Sequence, residues 1–433
     1  MTAQPPTPAT TPGVARRILA FAGLPFLSLI TPFLFLPILA RVAGADAWLS
    51  IALGQSSGGF FALVVALGYN TVGPVAVAVA SARDRPELYA RSVQARAVAW
   101  LPSSVVAVAV AALVSPPAYR LSAALMAVAM TLTGLAASWY LIGLGRPGLI
   151  VIYEILPRIA ATLLAAILVV TTKQVAWYPA LLIVATLASG TVFASRTVGL
   201  RELVRGRPGA VRTVLRANRS AVTTEVAGGA YNALAVTFVG AAATPAQAAS
   251  YVSGDKLYRI GQYSVSALGN SLQGWVVEGG QADFARRTRL SLLIHSTLGL
   301  AGFAGFALLG PPLSAFLFGQ AVAISELTAL GFGVATIGIA LGTAIGRITL
   351  VALGARRQFM TSVLIGATVG VPTILLLSHT FGAAGGAWGL ATGEIASVTA
   401  QAIFAVSQWR ARDGRISALV APSAPPSQTP PSS

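Results

Sequence analysis

The chain has 433 residues, of which 55% are hydrophobic and 9% charged, with a mean hydropathy of +0.77. A soluble domain carries about 25% charged residues, so a globule with a fully water-facing surface is excluded, whereas a lipid-facing one needs no polar coat. The net charge of +17 sits on arginines in short loops between apolar runs, which argues against a nucleic-acid partner. The absence of cysteine excludes disulfides, thiolate metal sites and cysteine nucleophiles.

Residues 1–13 and 421–433 are rich in Pro, Ser and Thr and read as disordered tails. The first apolar run, Ile18 to Ala40, follows Arg16 and Arg17 but is longer than a signal-peptide core. With Pro25, Pro32 and Pro37 inside it, it reads as a retained, bent first span. A bilayer core takes roughly 20 apolar residues per helix. On that measure spans fall near 17–41, 46–80, 93–114, 120–143, 148–171, 176–199, 221–241, 250–277, 290–310, 326–352, 359–378 and 384–407. The expected fold is therefore an all-α polytopic membrane protein of about twelve helices. Residues 14–207 would form an N-lobe and 208–420 a C-lobe of six helices each, flanked by the two tails.

Twelve spans place both termini on one side. Twenty-one arginines fall in the connections and tails of that side, including Arg83, Arg85, Arg91, Arg96 and six between 201 and 219. Only Arg41, Arg120 and Lys173 fall on the other. The positive-inside rule makes the arginine-rich side cytoplasmic. The longest basic loop, 200–220, divides the chain in the middle. Gly145 and Arg146 at the end of the fourth span are echoed by Gly354 and Arg356 at the end of the tenth. Trp48 at the start of the second is echoed by Tyr251 at the start of the eighth. Duplicated halves with a site between them are a recurrent transporter plan.

Charges inside spans cost about 2.5–3.5 kcal/mol each on insertion scales and so mark cavities or partners. Glu154 and Arg158, in helical i,i+4 register around Pro157, form either a structural ion pair or part of a cavity wall. Asp255, Lys256 and Arg259 share a broad face of the eighth span. One acid cannot neutralise two bases, so a net positive charge remains, either a ready site for a phosphate or diphosphate or a partner for Glu394, Glu225 or headgroup phosphates. Glu225 and Asn232 share a face of the seventh span, and Glu394 lies mid-span in the twelfth. Gly54/Gly58, Gly342/Gly346 and Gly385/Gly389/Gly393 have the spacing of close helix contacts.

Catalytic patterns fail on context. Gly54-Gln55-Ser56-Ser57-Gly58 imitates a nucleophile elbow but lies inside an apolar helix. Gly143-Leu144-Gly145-Arg146-Pro147-Gly148 imitates a dinucleotide fingerprint but joins two spans. No phosphate-loop lysine and no metal-ligand spacing occurs, so no cofactor or metal is expected and the chain does not read as an enzyme.

Four segments in order carry a family resemblance: Pro37 to Gly44 with Ala47 to Leu53 and Ala66 to Tyr69; Ser138 to Arg146; Tyr251 to Arg259; and Phe381 to Gly389. They resemble bacterial polysaccharide flippases of the O-antigen (Wzx-like) type, within the multidrug/oligosaccharidyl-lipid/polysaccharide (MOP) exporter superfamily that includes the MATE transporters. The resemblance implies two six-helix lobes around a cationic cavity in the bacterial inner membrane. It implies movement of undecaprenyl-diphosphate-linked oligosaccharides between leaflets, with membrane lipids, a glycan polymerase and glycosyltransferases as partners. Lys256 and Arg259 would bind the diphosphate or acidic sugars, Arg158 and Arg41 would assist, and Glu154, Asp255 or Glu394 would carry a coupled ion. A multidrug exporter of the same superfamily is the alternative. A glycan polymerase or ligase fits less well, because the connections opposite the arginine-rich side are short.

Overall fold

In the computed structural model the described residues are 14–146, 148–199, 210–278 and 280–420; both tails and residues 200–209 of the basic loop lie outside them. The described chain folds as twelve long helical rods. We label them α1 (14–43), α2 (45–65, continuing after a turn as Tyr69–Val79), α3 (Arg85–Val114), α4 (Arg120–Thr131, resuming as Ser138–Gly143), α5 (Gly148–Thr172), α6 (Trp177–Thr197), α7 (Ala210–Ala242), α8 (Pro245–Glu278), α9 (Gly280–Phe318), α10 (326–352), α11 (356–381) and α12 (383–420).

Eight stretches among the described residues are long and apolar enough to cross a membrane, which makes this a multi-pass membrane protein. Two of them, Pro37–Val79 and Arg356–Arg410, each run through a break that separates two rods. The rods α7 and α8 do not reach that hydropathy, because they carry Glu225 and Asn232, and Asp255, Lys256, Arg259, Gln262 and Asn270. Polar residues are tolerated at membrane depth where they face a cavity or protein rather than lipid.

Single glycines turn two of the tightest connections. Gly44 adopts φ 84° between α1 and α2, and Gly382 adopts φ 58° between α11 and α12. A side chain on an L-residue disfavours these angles. Backbone angles remain helical past Pro25, Pro32 and Pro37 and depart only at Gly44. Several rods outrun their apolar runs. The basic connection expected to be a loop to residue 220 is helical from Ala210 onward, with Arg212, Arg216 and Arg219 exposed. At 33 residues and 1.5 Å per residue, α7 is roughly 50 Å long against a hydrocarbon core of about 30 Å.

The glycine pairs read as contact stripes are contact stripes. A Cβ at Gly54 or Gly58 would lie 2.5 Å from a carbonyl oxygen of α4, and one at Gly346 would meet the Gln401 side chain at 2.6 Å. The nucleophile-like Ser56 is a packing residue. Its hydroxyl donates to the Ala233 carbonyl at 2.6 Å and bonds the Thr237 hydroxyl at 2.8 Å, tying α2 to α7.

The sequence echo between the halves has a structural counterpart. At the end of α4, Gly145 (φ 67°) donates to Ile142 O and Arg146 to Leu141 O. After α10, Gly354 (φ 78°) donates to Val351 O and Ala355 to Leu350 O. Both are the same glycine-closed helix end. Upstream of each, the helix is irregular at corresponding depth. A 3-10 turn at Leu132–Leu135 and a kink interrupt α4, and a wide π turn at Thr343–Leu350 interrupts α10. The rods α2 and α8 touch along two turns, where Trp48 Nε1 donates to Ala249 O at 3.2 Å and Lys256 Nζ to Gln55 Oε1 at 2.8 Å.

Candidate functional site

A cavity of about 390 Å³ lies between the first and second halves. That falls within the usual range of small-molecule sites, roughly 300–1,000 Å³. Its wall is largely apolar, with Pro37, Ala52, Leu63, Val236, Ile260 and Phe318 among its residues. The polar exceptions are Gln55, Ser56, Asp255, Lys256, Arg259 and Tyr263. Gln55 is eleven residues beyond Gly44 and Lys256 eleven beyond Pro245. Both therefore stand roughly 16 Å along their helices, near the middle of a 30 Å core.

The three charges that the sequence placed on one face of the eighth span are all in this wall, but they are not equivalent. Arg259 Nε donates to Asp255 Oδ2 at 2.9 Å, and its Nη2 donates to the Asn232 carbonyl at 2.9 Å. The Asp255 side chain is only 2% exposed against 32% for Arg259, so the pair is a neutralised, helix-bound unit. Lys256 has a neutral partner instead, the Gln55 amide oxygen from the other half of the chain. The net positive charge deduced from the count of bases is thus located on Lys256.

A short network runs from this wall into α12. Asn232 accepts from Gln262 Nε2 at 3.3 Å through Oδ1, and the Glu394 carboxyl lies within its electrostatic reach. Glu394 packs where a Cβ at Gly338 would lie, so α10 presses directly on it. Glu225 stands apart from that network and accepts from Thr71 Oγ1 at 2.6 Å.

Arg158 and Glu154 line a second cavity of about 210 Å³ between α3, α4, α5 and α6, not the one that holds Lys256. The residues at Val151–Ile155 form a π turn just before Pro157, whose missing N–H leaves a carbonyl of the preceding turn without its helical donor. Glu154 Oε1 accepts from the Ala137 backbone N–H at 2.9 Å, at the point where α4 resumes after its break. Arg41 is exposed, donates to the Phe316 carbonyl near the end of α9 and is not among the residues lining either cavity. Of the four bases assigned to an anion site from the sequence, only Lys256 and Arg259 share a cavity.

Sequence reasoning missed two functional-looking side chains and misplaced a third. Gln55 was read only as part of a failed motif, and Asn232 only as sharing a face with Glu225. Arg96 was counted among the loop arginines of the cytoplasmic side, yet it is 1% exposed. Its Nη1 donates to Gly134 O at 3.1 Å and Ala136 O at 2.9 Å, the carbonyls freed by the break in α4. Its guanidinium lies over the rings of Tyr69 and Trp139, 5.6 and 5.5 Å from their centroids.

With the geometry in hand, solved structures give a consistent answer. An inward-facing multidrug resistance MATE family transporter of the MOP superfamily superposes with a TM-score of 0.66 at 14% identity, covering 91% of this chain and 96% of the other. The lipid II flippase MurJ, in an inward closed conformation, gives 0.64 at 12% identity over 90% of this chain and 87% of its own. A MATE in complex with MaL6 gives 0.55 at 14% identity, covering 95% and 99%. The fold is that of the MATE transporters and MurJ. No family model matches the sequence, and no curated protein matches it. Among the described residues no cluster of three or more potential metal ligands occurs.

Proposed function

We propose that the chain is a flippase that moves a lipid-linked oligosaccharide, carried on undecaprenyl diphosphate, across the bacterial inner membrane by alternating access. The observation that carries this reading is Lys256, a cation at mid-membrane depth in a cavity between the halves, held by a neutral amide. A desolvated ammonium without a carboxylate partner attracts an anionic oxygen. The fold shared with MurJ, named as a lipid II flippase, supports the same reading. In this proposal both termini are cytoplasmic, the partners are membrane lipids, a glycan polymerase and glycosyltransferases, and no step is catalytic. Each six-helix half acts as one lobe.

Arg259 positions the wall rather than holding the anion, because Asp255 already claims it. Glu394 is the ion-coupling group best placed for the task, since it stands near Asn232, whose carbonyl accepts from Arg259. Asp255 is committed to its pair, and Glu154 and Arg158 serve the second cavity.

The MATE resemblance favours a second reading, export of cationic drugs. A cation carrier needs an available acid in the cavity, whereas Asp255, the acid in this wall, is paired. Reconstitution into proteoliposomes separates the two. The flippase reading predicts that lipid-linked oligosaccharide loaded in one leaflet appears in the other, and that Lys256→Gln stops it while the protein still inserts. Expulsion of a dye cation with no movement of the lipid-linked glycan would reject it. Arg259→Ala is the less informative variant, because it strands Asp255 as an unpaired buried charge at a cost of about 3–5 kcal/mol.

A further inference from the structure

We infer that Gln55 is the resident stand-in for the substrate's anionic oxygen and sets the affinity of the cavity by competing for Lys256. The inference rests on the anion-site reading of Lys256 and deepens it.

Three observations lead there. The Lys256 ammonium points at a single described acceptor, Gln55 Oε1 at 2.8 Å, while Asp255 beside it is taken by Arg259 at 2.9 Å. Gln55 belongs to α2 and Lys256 to α8, so the partner comes from the opposite half of the chain. Both side chains are half-buried and both line the cavity, so an incoming oxygen can reach the ammonium and the displaced amide remains in the cavity.

The chemistry at position 55 is graded. A buried ammonium without an acceptor loses its hydration and gains nothing in exchange. An apolar residue at 55 would leave it so. A carboxylate would add a full opposite charge to a bond that the ammonium already strengthens and would compete with any substrate anion. The amide lies between these extremes. It satisfies the ammonium in the empty cavity and yields to a phosphoryl oxygen, whose full charge makes the stronger bond. Among the described residues, Lys256–Gln55 is the one side chain to side chain hydrogen bond between α2 and α8. Exchange of Gln55 for substrate therefore also unlinks these two helices at mid-membrane depth, while Trp48 keeps its bond to Ala249 O two turns away.

The test measures binding of farnesyl diphosphate to the full chain in lipid nanodiscs, for the parent, Gln55→Ala, Gln55→Glu and Lys256→Gln. Removing the competitor makes Gln55→Ala bind about ten- to a hundredfold tighter, the equivalent of one hydrogen bond to a charged group. Gln55→Glu binds at least about tenfold weaker at neutral pH. It regains affinity relative to the parent as the pH falls and the introduced carboxyl is protonated. Asp255, Lys256, Arg259 and Tyr263, the ionisable groups lining this cavity, are shared by the parent and both Gln55 variants, so the ratio to the parent reports residue 55. Unchanged or weaker binding in Gln55→Ala overturns the inference, as does parent-like binding in Gln55→Glu at neutral pH. Should Gln55→Ala fail to fold, the pH-reversible loss in Gln55→Glu decides alone. Lys256→Gln distinguishes the two levels. Parent-like binding there removes the anion site itself, whereas lost binding there with parent-like Gln55 variants removes only the role of Gln55.

Discussion

Arg96 and Lys256 are both cations within the helix bundle, and their surroundings give them opposite roles. Arg96 is sealed among backbone carbonyls and aromatic faces, so its donors are consumed by the fold. Lys256 faces a cavity with one neutral acceptor, so its charge is available. Replacing Arg96 by Met leaves two carbonyls of the broken α4 segment unsatisfied, a loss of about 2–6 kcal/mol at roughly 1–3 kcal/mol per buried group. Thermal unfolding of the purified protein should show a clearly lowered midpoint. Arg91→Ala, which removes an exposed partner of Glu87, should shift it little, since such surface pairs contribute about 0–1 kcal/mol. An Arg96→Met protein as stable as the parent would mean that the α4 break needs no donor at those carbonyls.

Between helices, the decisive quantity is how closely backbones approach. Without a hydrophobic driving force in lipid, packing of small residues holds helices together, and Gly54 and Gly58 let α2 sit against α4. A methyl at Gly58 would lie 2.5 Å from Ala127 O, whereas one at the neighbouring Gly59 meets nothing within 4 Å. Gly58→Ala should therefore destabilise by about 1–3 kcal/mol, the usual cost of overpacking, and Gly59→Ala should leave stability unchanged. Comparing the two unfolding midpoints checks this without any knowledge of the substrate. Equal midpoints would mean that α2 and α4 shift apart freely. The breaks in α4 and α10 belong to this scale as well. Each sits just before a glycine-closed helix end, so the two halves share an irregular helix as well as a turn.

Across the whole molecule, polar contacts between the halves occur near both ends of α2. Trp48 bonds the Ala249 carbonyl toward one end, and Thr71 bonds Glu225 while Asn218 bonds the Leu67 carbonyl toward the arginine-rich end. Alternating access requires one set to part while the other holds. The native chain has no cysteine, so Thr71→Cys with Glu225→Cys gives a clean pair for a short, reducible bifunctional thiol reagent. Cross-linking should stop transport in proteoliposomes and reduction should restore it. Full transport by the cross-linked protein would exclude opening at that end.

By itself the sequence determined the number of rods, their alternation, the glycine stripes and the presence of an unneutralised cation in the eighth span. Those features follow from local rules: apolar run length, loop charge, and residue spacing along one helix. Helix ends were less legible, since α3, α7 and α9 continue beyond their apolar runs into charged turns that hydropathy counts as loop. Only the tertiary structure decided which charges share a space. Arg158 and Lys256 are equally plausible cavity cations in one dimension, yet helix packing sends them to separate cavities. Arg96 looks like a loop charge until the break in α4 is seen to need its donors. Lys256 and Gln55 are 201 positions apart, and no spacing rule reaches across that distance. Their contact arises because the second helix of each half packs against the other where the halves meet.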